Sequence, residues 1–203
     1  MLRIQARIQG HTPLMMDCMS DAVLEGIRTG VRVSCNKDVP AKQQAEAGLY
    51  KDNDGLIAIP VYVFLACLRE AGRHFKIGSP PRQITKGEGE TSLYSFLTIP
   101  GAEFLYFEGT PEWEVDKRRG GADKGKSTCI VRAKFHKWSF RVTMEVDETE
   151  ISESMFKSLV AVAGKKKGLC AFRPTCGGPF GQFRIAEWAS EKIELDGEVA
   201  DAA

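Results

Sequence analysis

Twenty residues, Gly164–Phe183 (GKKKGLCAFRPTCGGPFGQF), hold three consecutive lysines, five glycines, two prolines, Arg173 and the aromatic side chains Phe172, Phe180 and Phe183. Glycine permits φ > 0 and close approach of another chain, while Pro174 and Pro179 stop a helix or a central strand. The stretch therefore reads as a long shaped surface loop. Lys165, Lys166, Lys167 and Arg173 beside free backbone N–H groups would make it an anion cradle, with the phenylalanines offering faces for stacked bases. The lysines would equally suit the negative C-terminal end of a preceding helix, or simply solubilise a turn.

A second basic stretch is Asp116–Ser127 (DKRRGGADKGKS), in which Lys117, Arg118, Arg119, Lys124 and Lys126 make five of twelve residues basic. Gly120-x-x-x-x-Gly125-Lys126-Ser127 matches the phosphate-binding P-loop pattern literally. That chemistry needs a buried strand before the loop and a helix after it, whereas Trp113–Arg119 is charged and the residues after Ser127 alternate as a strand does. The stretch reads better as a basic, glycine-rich hairpin tip that meets a phosphate backbone without sequence preference. Asp17 and Asp21 follow the first strand and are weak candidates for a metal-dependent catalytic role, since loop aspartates are commonly caps and turn residues.

Composition narrows the classes. The 203 residues carry a formal net charge of +1 and are 43% hydrophobic, which suits one domain with a real core and demands that any nucleic-acid contact come from local clusters. Six cysteines without a CxxC and three scattered histidines give no zinc signature, so neither a metal nor a cofactor is expected. Cys67 and Cys129 sit in apolar patterns as small hydrophobes. MLRIQARIQG has no signal-peptide core, and no apolar run reaches ~18 residues, so a cytoplasmic protein without membrane contact is the expectation.

The elements that would position these clusters are legible in part. Leu2, Ile4, Ala6 and Ile8 alternate with Arg3, Gln5, Arg7 and Gln9, a strand with one wet face. Residues 10–59 read as an insertion with a short helix near Asp21–Arg28. Val61, Phe64, Leu65, Leu68, Gly72 and Phe75 fall on one face of a helix over 60–77, with Arg69, Arg73 and Lys76 beside them. A second insertion covers 78–127 and includes a hairpin over Leu93–Phe107. Strands follow at 128–136 and 138–146, with a switch of buried parity near His136-Lys137 that predicts a bulge. Arg132, Lys134 and His136 are candidates for an open, basic sheet face. A helix over 152–164, N-capped by Ser152 and stopped by Gly164, leads to the glycine-rich loop and a last strand at 183–188. Residues 191–203 read as a flexible acidic tail. The order β-α-β-β-α-β predicts an α+β, ferredoxin-like (RRM-like) core over residues 1–190, whose free sheet face would be a platform for single strands.

Two of these motifs resemble landmarks of the RAMP superfamily of CRISPR-associated proteins. Ile59-Pro60 with Leu65-x-x-Leu68-Arg69 is similar to the IPGSSLKGALR-like segment that opens that family's first helix. Gly168-Leu169-x-x-Phe172-Arg173-Pro174, with Gly181-x-Phe183-Arg184-Ile185, resembles the GLGxxRSRGFGRV-like loop between its second helix and last strand. The Trp113–Trp138 and Gly168–Ile185 regions are also similar to small solitary proteins of phages and prophages. About thirty residues carry the resemblance. The chain departs from it at Val61-Tyr62, where the family has Gly-Ser, and at Cys170, where it has Gly.

The resemblance implies a non-catalytic subunit that binds single-stranded RNA, assembling as a homo-oligomer along a guide or crRNA-like strand with other CRISPR effector subunits as partners. By position, Arg69 and Arg73 would lie near the RNA, Gly168–Gly181 would contact its backbone, and residues 110–127 would form a thumb-like hairpin. A phage-encoded version would act as a mimic that interferes with CRISPR immunity. Two alternatives stand beside it: a phage single-stranded DNA-binding or annealing protein, and an enzyme. The enzyme would be a metal-dependent endoribonuclease using Asp17 or Asp21, or a nucleotide hydrolase using Gly120–Ser127.

Overall fold

The computed structural model describes residues 1–31, 39–87, 89–123 and 126–194, with backbone alone for 121–123 and 126–128. Cys35, Lys124, Gly125 and most of the expected acidic tail lie outside the described residues, and Lys126 is described by its backbone only.

The chain begins with strands β1 (Leu2–Gly10) and β2 (Leu14–Met16), helices α1 (Asp21–Thr29) and α2 (Ala41–Ala47), strand β3 (Ala58–Pro60) and helix α3 (Val61–Ala71). Short pieces follow: β4 (Lys76–Ile77), β5 (Arg82–Gln83), β6 (Thr85–Lys86), β7 (Glu90–Thr91), α4 (Leu93–Phe96), β8 (Leu97–Thr98) and β9 (Phe104–Tyr106). The last third holds β10 (Glu114–Asp123), β11 (Lys126–Phe135), β12 (Ser139–Val146), α5 (Glu153–Val162) and β13 (Phe183–Lys192). The sheets are antiparallel, and the architecture is mixed α/β.

One four-stranded sheet, in the order β13-β1-β12-β8, organises the core. The alternation of β1 puts Ile4 and Ile8 on its covered face, and β12 adds Phe140, Val142 and Met144. Helices α3 and α5 lie on that face: Phe64 meets Phe140 edge-on at 5.8 Å, and Phe156 is fully buried beside Trp188. Each such aromatic contributes about 1.5–3 kcal/mol by leaving water. Ser152 caps α5 as its type predicts, accepting from Met155 N at 3.4 Å.

The strand partners differ from expectation. The segment at 128–136 does form a strand, β11, but it pairs with β10 and β2 in a separate three-stranded sheet. The parity switch at His136-Lys137 is therefore no bulge; the chain leaves one sheet there and enters another, and each sheet has its own buried side. The neighbour of β12 is instead assembled from two pieces, with β8 opposite Glu145 and Val146, and Phe107 bridging to Phe140. No hairpin forms over Leu93–Phe107, because Leu93–Phe96 is helical and β9 pairs with β3.

Helix ends are also corrected. The helix expected over 60–77 stops at Ala71 and tightens into a 3-10 turn, Gly72–His74, before Lys76 enters a strand. Gly164 does not end α5; the helix widens into a π-turn, Ala163–Lys167, that ends at Gly168 with φ +71°. A Cβ on Gly164 would lie 2.3 Å from Phe183 O, so the close approach of β13 is what requires glycine here. The last strand runs on to Lys192, pairing Glu191 and Lys192 with Arg3 and Leu2 where a tail was expected. Cys67 is buried as predicted, whereas Cys129 is exposed.

Candidate nucleic-acid interface

The C-terminal end of α3 and the π-turn after α5 come together on one side of the molecule. The apolar face of α3, Phe64, Cys67 and Leu68, is locked into the core, and Cys67 Sγ lies 3.6 Å from Ala163 O. This fixes the other side of the helix, so that Arg69 and Arg73 line a cleft of about 550 Å³ together with Lys167 and Thr175. Lys165 and Lys166, both exposed, continue the cationic edge. Among the described residues, neither Arg69, Arg73 nor the three lysines has an ion-pair partner; Arg73 Nη2 donates to Gly87 O at 3.3 Å. Glu70, the acid in the cleft wall, is held by Arg173 Nη2 at 3.1 Å. Nearby His74 has its pKa lowered from the usual imidazole value, first by loss of hydration and then by Lys167 and Lys166. The imidazole thus senses the positive field of the turn.

The glycine-rich stretch is not the open surface loop that its composition suggests. Leu169 N donates to Gly181 O at 2.9 Å, Ala171 N to Met15 O at 2.9 Å and Gly181 N to Pro13 O at 2.8 Å, and these bonds lash it across β2. Phe180 and Phe183 are buried, Phe183 against Phe64 and Trp138, so Phe183 has no face free for a base. Phe172 is half-buried, and the Arg118 guanidinium lies 4.7 Å from the Phe180 ring centre and 5.7 Å from that of Phe172. Cys170 and Phe172 hold φ of 59° and 53°, conformations that cost non-glycine residues about 1–3 kcal/mol each. Arg173 donates to Cys170 O at 2.9 Å as well as to Glu70, so it ties this loop to α3.

The hairpin of β10 and β11 carries the other predicted cations, and most are matched internally. Arg118 bonds Asp116 through Nε and Nη2 at 2.6 and 3.1 Å. Lys134 pairs with Glu114, His136 contacts Glu114 at 2.9 Å, and Arg132 Nη2 donates to Asp17 at 2.6 Å. Lys117 and Arg119 are exposed, with no ion pair among the described residues. Gly120 pairs with Thr128 across the hairpin, and strand rather than helix follows Ser127, so the helix N-terminus that a P-loop needs is absent among the described residues. Asp21 opens α1, and among the described residues no three His, Cys, Asp or Glu side chains converge as ligands of a metal would.

The open face of the four-stranded sheet lacks the expected Arg132, Lys134 and His136, which belong to β11 and the turn just after it. It presents Arg3, Arg7 and Arg141, each bridged to carboxylates: Arg3 to Glu145, Arg7 to Glu108, and Arg141 to Glu108 and Glu187. Glu108 is held below the usual carboxylate range chiefly by the Ser139 hydroxyl, with help from Arg7 and Arg141.

Sequence reasoning missed a second hollow on α3, one or two turns earlier. It is about 490 Å³ in volume and lies between Tyr50, Tyr62, Val63 and Phe172. Tyr62 stands off the apolar stripe of α3 just after Pro60, and an exposed aromatic at that place was the available signal; Tyr50 gave none.

No family model matches the chain, and no curated protein matches it. Among solved structures it is similar to Cmr6 from Pyrococcus furiosus, with a TM-score of 0.45 and 14% identity over 91% of this chain and 99% of that one. It is also similar to a chain of a type III-B Cmr-beta structure bound to cognate target RNA, with a TM-score of 0.43 and 12% identity over 94% of this chain and 61% of that one. No helix among the described residues is long and apolar enough to cross a membrane.

Proposed function

We propose that this protein binds single-stranded RNA without cleaving it, holding phosphates in the cleft between Arg69, Arg73 and the Lys165–Lys167 turn. The observation that carries the reading is the gathering of unpaired cations: among the described residues these five have no carboxylate partner, as is also true of Lys117 and Arg119 on the hairpin, but Arg69, Arg73 and Lys167 line one cleft, whereas Arg3, Arg7, Arg118, Arg132, Lys134, Arg141 and Arg173 are all bridged. An unpaired cation can take a phosphate and release counterions without first breaking a bridge.

The reading takes residues 1–190 as one RAMP-like domain, with β1, α3, the split strand through 97–108, β12, α5 and β13 as a ferredoxin-like core. The β10–β11 hairpin is then the thumb. Its partners would be further copies along the strand and other effector subunits, and a phage-encoded mimic of such a subunit would use the same surface.

The test is binding of a labelled RNA of about twenty nucleotides, and of the same DNA, over a salt series. Replacing Lys165, Lys166 and Lys167 by alanine should weaken binding of every sequence and flatten the log–log salt slope by about 0.7 for each phosphate that the turn no longer neutralises. Undiminished affinity at every salt concentration would remove the turn from the site. Failure of the unmodified protein to bind either strand would overturn the function.

A further inference from the structure

The cleft has a neighbour of different character on the same helix. Toward the N-terminal end of α3, the hollow of about 490 Å³ is walled by Tyr50, Tyr62, Val63 and Phe172. Toward the C-terminal end, Arg69, Arg73 and Lys167 line the cationic cleft. The Glu70–Arg173 pair stands between them, and Arg173 also lines the first hollow. Aromatic walls beside a cationic cleft are what a nucleotide requires, since base and phosphate differ in this way. The volume lies within the range of small-ligand pockets, about 300–1,000 Å³.

Charge argues that the aromatic hollow is not a second phosphate site. Both arginines that line it are bridged, Arg132 by Asp17 at 2.6 Å and Arg173 by Glu70 at 3.1 Å, and Asp17 places a carboxylate at the mouth. One oxygen of that carboxylate takes Arg132, and the other carries no hydrogen bond among the described residues. Tyr62 is exposed, and the neighbouring Tyr50 hydroxyl is pushed up in pKa chiefly by burial. A flat ring on Tyr62 and Phe172, with an amino group directed to Asp17, satisfies both the aromatic walls and the open acceptor. Uracil, which offers carbonyl oxygens where adenine and cytosine offer an amino group, meets the carboxylate poorly.

We propose that the hollow beside Tyr62 receives one unstacked base of the bound strand and favours bases bearing an exocyclic amino group, read by Asp17. This rests on the RNA-binding reading and adds selectivity to it. The strained φ values at Cys170 and Phe172 then have a use, because they turn Phe172 to form one wall of the pocket.

The experiment measures fluorescence anisotropy of short strands of oligo(A), oligo(C), oligo(U) and abasic ribose phosphate, at one salt concentration, on the unmodified protein, Tyr62→Ala and Asp17→Asn. Oligo(A) and oligo(C) should bind about tenfold more tightly than the abasic strand, the effect of one stacked base. Tyr62→Ala should bring them to the abasic level without changing the salt slope or the melting temperature, since Tyr62 is an exposed side chain. Asp17→Asn should narrow the gap between oligo(C) and oligo(U), each taken relative to the abasic strand on the same variant, because the substitution also frees Arg132. Equal binding of all four strands by the unmodified protein, still dependent on Arg69 and Arg73, would overturn the base pocket and leave the phosphate cleft standing. Binding of none of the strands would overturn both.

Discussion

The open face of the four-stranded sheet and the cleft beside α3 are both rich in cations, and they treat that charge in opposite ways. On the sheet, Arg3, Arg7 and Arg141 lie across from Glu145, Glu108 and Glu187 in a lattice of bridges. In the cleft, among the described residues, Arg69, Arg73 and Lys167 have no such partners, and the acid that lines it, Glu70, is occupied by Arg173. Exposed bridges contribute little to stability, about 0–1 kcal/mol each, but a phosphate must displace them before it can use the arginine. The lesson is that a count of basic residues does not distinguish the two regions, whereas the presence or absence of carboxylate partners does.

The largest effect should come from dividing the two regions by mutation. Arg69→Ala, Arg73→Ala and Lys167→Ala together should lower RNA affinity on the order of a hundredfold at low salt, since each charged contact to a phosphate is a strong one. Arg3→Ala with Arg7→Ala should change it less than about twofold, within the scatter of a screened surface charge. Equal losses from both sets, measured by titration of one labelled RNA, would erase the distinction.

A second experiment sharpens it at the boundary. Arg173→Ala should weaken RNA binding about tenfold although Arg173 need not touch the strand, because Glu70 is then left as a free negative charge in the cleft; its Oε2 is already buried without a partner among the described residues. Adding Glu70→Gln should restore most of the affinity. If the double variant binds as weakly as Arg173→Ala alone, Arg173 contacts the strand directly. A smaller effect follows from Gly164→Ala, which sets a Cβ against Phe183 O and should cost about 1–3 kcal/mol, read as a melting temperature lower by a few degrees.

How much of this could be read from the chain depends on the range of the interaction. The strands β1 and β12 and the helices α3 and α5 are visible because a period of two or 3.6 reports burial locally. The edge partner of β12 is not, because it is split between Leu97–Thr98 and Phe107 by a turn at Pro100-Gly101. For the candidate site, residue type and spacing mark Arg69, Arg73 and the lysine triplet alongside the hairpin cations, Phe172 and Arg173, and do not rank them. Which cations are neutralised is a tertiary fact: Arg132 meets Asp17 and Arg173 meets Glu70, each pair over a hundred residues apart. The glycine-rich stretch misleads for a related reason, since Gly164 and Gly181 serve close backbone packing that looks, in sequence, like a flexible loop.

His74 offers the most direct test on the unmodified protein. Its pKa lies below the ordinary imidazole value, through loss of hydration and through the positive charge of Lys167 and Lys166. A phosphate held by those lysines cancels their field, favours the protonated ring and should raise the His74 pKa when RNA is added. The measurement is an NMR titration of the histidine ring protons with and without a saturating oligonucleotide. An upward shift of the His74 pKa is the predicted result. RNA binding that leaves the His74 pKa unchanged would contradict the placement of the strand in this cleft.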